Sequence, residues 1–107
     1  MPTTKSEIIQ FLKDFKKEMS DNGLTFVERK VNLDCLAELG LSIVDGEGVI
    51  LSLTEKDFQK GPELDHDGSV GEIWAFQKHH AGAHVYIKLK LDSFGAKCIS
   101  FHKRKST

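Results

Sequence analysis

Tyr86, Lys88 and His102 are residue types with complementary chemistry, and they fall close together near the C-terminal end of a 107-residue chain. Lysine steadies phosphate charge. Histidine titrates near neutral pH and can give or take a proton. Tyrosine can hydrogen-bond a phosphate or stack on a base. Strand periodicity would bring the three together, because side chains alternate faces along a strand. In the segment 83–91, Val85, Ile87, Leu89 and Leu91 then point into a core, and His84, Tyr86, Lys88 and Lys90 point away from it. In the segment 97–103, Ile99 and Phe101 are expected on the core side, with Cys98, Ser100 and His102 opposite. A solvated face of any half-buried antiparallel sheet alternates in the same way, so the pattern alone names no reaction.

Other candidate groups carry less. His79, His80 and His84 form an HH-x3-H cluster, and His80 with His84 has the spacing of a metal pair. The stretch reads as a hairpin turn rather than a helix, so that spacing does not put both rings on one face, and no nearby acid completes a site. The acids at Glu63, Asp65 and Asp67 lack the remaining ligands of a calcium loop and read as an exposed acidic loop. Cys98 has no thiolate-activating neighbour and reads as a small packing residue. Trp74 can stack on RNA or fill the core, and the core is favoured.

Charge is unevenly distributed. Residues 1–71 carry eight Lys/Arg against fourteen Asp/Glu, a net of −6, whereas residues 72–107 carry seven against two, a net of +5. A basic segment in a near-neutral chain suggests a local anionic ligand, and a charged solvated face is the plainer alternative. Hydrophobic residues make up 39% and charged residues 29%, which argues against disorder and fibrous structure. The length predicts one domain over 1–107. No apolar run approaches the roughly 20 residues of a membrane span, and the N-terminus lacks the apolar stretch of a secretory signal. Two cysteines suggest neither a disulfide framework nor a four-cysteine metal site, so a reducing cytoplasm is expected.

Several elements must position these groups. Thr4 and Glu7 have capping-box spacing, and Ile8, Phe11, Leu12, Phe15 and Met19 follow as an apolar helical stripe that Asn22-Gly23 stops. Leu24 to Lys30 reads as a short strand. Asn32 is placed to cap a second helix carrying Leu33, Leu36 and Leu39, closed by Gly40. The 43–53 stretch is ambiguous. Val49-Ile50-Leu51 favours strand and Gly46 and Gly48 disfavour helix, yet Ser42 and Asp45 have capping-box spacing. Thr54 and Asp57 predict a single turn ending at Gly61-Pro62, and 63–71 reads as a loop. Strands are expected at Glu72–Lys78, Ala83–Leu91 and Lys97–Lys103 as an antiparallel meander.

From about Leu24 to Lys103 the chain resembles the MqsR toxins of toxin–antitoxin systems, in the RelE-like superfamily. The similarity is carried by Ala37-Glu38-Leu39-Gly40-Leu41, Val49-Ile50 and the run from Leu53 to Lys60. It continues through Ile73-Trp74, Val85-Tyr86-Ile87-Lys88 and Ile99-Ser100-Phe101-His102. The resemblance implies an α+β fold with N-terminal helices on a twisted, mainly antiparallel sheet, and it favours helix for 43–53. It implies metal-independent cleavage of messenger RNA with no cofactor. The implied partner is a cognate antitoxin through which DNA is touched only indirectly, with no membrane involved.

Lys60 corresponds to the family's lysine after the Asp-aromatic segment, and Tyr86 to its tyrosine after valine. The best-known member has lysine where this chain has His102, and glutamine where it has Ala75. Gln77, two residues on and on the same strand face, could substitute for that glutamine. The expected catalytic set is Lys60, Tyr86, Lys88 and His102, with Lys90, Gln77, Lys103 and Arg104 binding RNA. Two functions fit the sequence: a ribonuclease toxin, or, given Ala75, a protein of the same fold that binds RNA or antitoxin without cutting.

Overall fold

The computed structural model describes residues 3–64, 71–80 and 82–103. In chain order the elements are α1 (Lys5–Asn22), β1 (Leu24–Phe26), α2 (Lys30–Leu39), α3 (Ile43–Leu51) and a 3-10 turn (Glu55–Asp57). Four strands follow: β2 (Phe58–Leu64), β3 (Glu72–His80), β4 (Ala83–Asp92) and β5 (Gly95–Lys103). The strands form one sheet in the order β1-β5-β4-β3-β2. All neighbours are antiparallel except β1, which runs parallel to β5. This is the α+β arrangement expected from the sequence.

Local signals account for the helices. In α1, Thr4 Oγ1 accepts the Glu7 N–H at 3.2 Å and Glu7 Oε1 accepts the Thr4 N–H at 3.3 Å, so two end donors are satisfied reciprocally. Ile8, Phe11, Leu12 and Phe15 are buried. The 43–53 stretch is helical, and Ser42 and Asp45 form a second capping box at 3.1 and 2.9 Å. Its glycines, which disfavour helix, have a packing reason at one position. A Cβ on Gly46 would sit 3.3 Å from Leu36 Cδ2, so glycine lets α3 lie close against α2.

Three expectations need correction. Asn32 does not cap α2, whose preceding residue is Arg29; it lies inside the helix, fully buried. The chain does not stop at Gly61-Pro62 but continues as β2. Because β2 is the edge strand, proline's missing N–H costs no ladder bond there. Gly61, at φ 130°, lets the backbone approach β3, since a Cβ would meet the Ile73 carbonyl at 2.8 Å. Glu63 and Leu64 therefore belong to β2, and the acids Asp65 and Asp67 lie outside the described residues. Finally, His79 and His80 are strand residues of β3, opposite His84 and Ala83 of β4, not a turn.

The helices and one face of the sheet share the core. Phe15, Ile50, Leu53, Phe76, Val85, Ile87, Leu89, Cys98 and Phe101 are fully buried in it. Trp74 packs there as expected, stacked on Phe11 with ring centroids 4.5 Å apart.

Candidate active site

The other face of the sheet carries the candidate chemistry, and β4 sets it. Val85, Ile87 and Leu89 are completely buried on the helix side, so alternation turns His84, Tyr86 and Lys88 to the outer side. Tyr86 stands directly between Gln77 of β3 and His102 of β5. The Tyr86 and His102 rings are 5.8 Å apart between centroids, and Lys88 Nζ lies 5.7 Å from the Tyr86 centroid.

His102 reaches this face by a route the sequence conceals. Leu89 faces Cys98 while Lys88 faces Ser100, so Ile99 is an extra residue in β5. This β-bulge lets Cys98 and Phe101 both point into the core, both fully buried. Cys98 was expected on the outer face and Ile99 in the core; the bulge reverses both. From an inward Cys98, strict alternation would also have turned His102 inward. Asn32 holds the bulge. Its Nδ2 donates to the carbonyls of Val27 at 2.9 Å and Ile99 at 3.1 Å, and its Oδ1 accepts the Phe101 N–H at 3.0 Å. The amide thus continues, for one step, the pairing that β1 gives β5, where the Val27 N–H bonds the Cys98 carbonyl at 3.0 Å. The only sequence signal for this role is an asparagine near the start of a helix, which reads equally well as a cap.

A second bulge serves Lys60. Phe58 faces Phe76 and Lys60 faces Ala75, leaving Gln59 as the extra residue. Ala75 in turn faces Lys88. Lys60 and Lys88 therefore flank Ala75 in one cross-strand row, their backbones two strand spacings or about 10 Å apart. Lys60 Nζ lies 3.5 Å from Glu63 Oε1 in an exposed pair.

Gln77 joins the same face, with Nε2 3.0 Å from His84 Nδ1. His79 stands opposite His84, with ring centroids 4.9 Å apart. Alternation along β4 already put His84 on this face; reading His79 as a turn residue had kept it off the site, and its pairing with His84 puts it beside it. His80 alternates to the other side, where it lines a cleft with Asp45 and Val49.

The remaining basic candidates are placed differently from expectation. Lys90 is only 2% exposed, and Gly71 crosses its stem so closely that a Cβ there would lie 2.8 Å from Lys90 Cε. It is a buried residue rather than part of an accessible basic surface. Lys103 faces Val85, on the helix side, and its Nζ lies 2.8 Å from Glu38 Oε2. That carboxylate raises the Lys103 ammonium above its ordinary pKa. Arg104 lies outside the described residues.

His102 Nδ1 lies 3.2 Å from the Lys103 carbonyl oxygen. A carbonyl only accepts, so the Nδ1 that bonds it carries a proton, and Nε2 is left to face the substrate. A cleft of about 560 Å³ runs from His102 to α2, and Lys30, Asp34 and Glu38 form its charged rim. Burial raises the thiol pKa of both Cys35 and Cys98, which leaves them protonated and unreactive. Among the described residues no group of three or more His, Cys, Asp or Glu is placed to hold a metal ion, and no helix is long and apolar enough to cross a membrane.

A family model described as "Motility quorum-sensing regulator, toxin of MqsA" matches residues 8–103. No curated protein and no solved structure matches the chain.

Proposed function

The chain belongs to the MqsR toxin family, and from that premise we propose that it is a metal-independent endoribonuclease that cuts messenger RNA and is neutralised by a cognate antitoxin. Family membership makes it a toxin of a toxin–antitoxin pair and implies the antitoxin. The cleavage chemistry is our inference. The observation that carries it is the cluster of Tyr86, His102 and Lys88 on one sheet face, within 6 Å of ring centroid or ammonium.

RNA brings its own nucleophile. His102 Nε2 takes the proton of a 2′-hydroxyl, whose oxygen bonds to phosphorus as the bond to the 5′-oxygen breaks. Lys88, and Lys60 across Ala75, neutralise the crowded phosphate. The Tyr86 hydroxyl hydrogen-bonds a phosphate oxygen. Gln77 and the basic residues Lys90, Lys103 and Arg104 were the expected RNA contacts; burial of Lys90 and the Glu38 pair of Lys103 leave Gln77 as the described one that shares the face with Tyr86.

The test is incubation of purified protein with RNA in excess chelator. Cleavage to a 2′,3′-cyclic phosphate and a 5′-hydroxyl is expected. A divalent-ion requirement or a 5′-phosphate end would refute the mechanism. Binding without scission would favour a non-cutting protein, the alternative that Ala75 motivates at the family's glutamine position.

A further inference from the structure

The mechanism above has a base and no assigned acid, and the outer face holds one more group in position. We propose that His84 is the second proton-transfer residue, the general acid that protonates the departing 5′-oxygen; this rests on the ribonuclease reading.

Placement comes first. His84 is two residues before Tyr86 on the same face of β4, and His102 is directly opposite Tyr86 on β5. His84 and His102 are therefore diagonal neighbours across the Tyr86 position. Such neighbours have Cα atoms about 7–8 Å apart, within reach of long side chains. A phosphate over Tyr86 would have both imidazoles beside it, one along β4 and one across on β5, so that one can act as base and the other as acid.

Orientation comes second. Gln77 Nε2 sits 3.0 Å from His84 Nδ1, which fixes the ring and leaves Nε2 for substrate. Nδ1 accepts from the Gln77 amide in the neutral ring. In the imidazolium, the amide turned end for end accepts from Nδ1–H through its oxygen. His102 differs, because its Nδ1 faces a carbonyl that cannot switch roles.

Among the described residues, the groups facing His84 are Gln77 and His79 on β3, Tyr86 on its own strand and His102 on β5. Among the other described basic residues, Lys88 shares this face beyond Tyr86, whereas Lys78, 3.5 Å from Asp57, Lys103, paired with Glu38, and His80, lining the cleft with Asp45, turn to the helix side.

The step balances. The 2′-oxygen bonds to phosphorus and gives its proton to His102 Nε2. The bond from phosphorus to the 5′-oxygen breaks, and that oxygen takes the proton of His84 Nε2. One proton enters the protein and one leaves.

The decisive experiment compares RNA with the four nucleoside 3′-(4-nitrophenyl phosphates), whose nitrophenolate departs without needing a proton. His84→Ala and His84→Gln should cut RNA about a hundredfold more slowly or worse. Both should cleave the nitrophenyl esters within a few-fold of the parent. Their RNA rate–pH profiles should lose the alkaline limb expected of the parent. His84 is exposed, so thermal melts should match the parent. His102→Ala should lose both substrates. Equal loss of both substrates in the His84 variants, or no loss on RNA, would overturn the assignment. A parent that cleaves neither substrate would overturn the ribonuclease reading and this acid with it.

Discussion

The Asn32 side chain accepts the backbone N–H of Phe101 at 3.0 Å, tying the start of α2 to the strand residue immediately before His102. Asn32 is completely buried and also donates to two carbonyls, those of Val27 and Ile99. Removing the amide would strand the groups that the β5 bulge frees from the ladder. Asn32→Ala is expected to lower stability by about 2–4 kcal/mol, the scale for several buried polar groups losing partners. Denaturant midpoints measure this, and a loss below about 0.5 kcal/mol would show that the bulge holds itself.

His102 is half-buried at the end of β5, with Phe101 before it anchoring the core. His102→Ala should therefore fold normally while losing about a hundredfold or more in RNA cleavage. His102→Lys should keep part of the activity with the pH optimum moved upward, since lysine loses its proton at higher pH than histidine. Cleavage by His102→Ala at the parental rate would move the base elsewhere.

The lysines should separate into functional and structural groups. Lys60→Glu and Lys88→Glu should weaken RNA binding, and each lost phosphate contact should lower the salt slope by roughly 0.7 on single strands. Lys13→Glu, on the exposed side of α1, should change little. Lys90→Glu should instead destabilise the fold, because its side chain is 2% exposed beneath Gly71. A Lys90 variant with a normal melt and weakened binding would contradict that burial.

Cys98 gives a pH dependence of known sign. Burial raises its thiol above the ordinary cysteine value, so the folded state keeps the proton at pH values where the unfolded state loses it. The stabilisation is full below about pH 8.5, the unfolded value, and falls above it by at most about 1.4 kcal/mol per pH unit. Comparing denaturation at pH 7.5 and 10 should show a steeper alkaline loss for the parent than for Cys98→Ala. Parallel losses would mean that the thiol ionises in place. Native protein should also resist thiol reagents until unfolded.

Much of the architecture could be read from neighbours along the chain. The capping boxes at Thr4, Ser42 and Thr54 each involve residues three apart, and all three form. The alternation of Val85, Ile87 and Leu89 with Tyr86 and Lys88 is a property of one strand, and it placed Tyr86 and Lys88 on one face. Such signals are local because the bonds or faces they describe are local.

What tertiary structure alone decided involves residues far apart. Asn32 and Phe101 are 69 positions apart, and their bond helps hold the bulge that turns Cys98 inward and His102 outward. An edge position made β2 possible despite Gly61-Pro62. A pairing across the β3–β4 connection brought His79 beside His84. The close approach of Gly71 buried Lys90, and Glu38 on α2 pairs with Lys103. Residue type and period fix which way a regular strand's side chains point. Whether a strand stays regular, and what lies over each side chain, depends on partners that only the folded chain brings into contact.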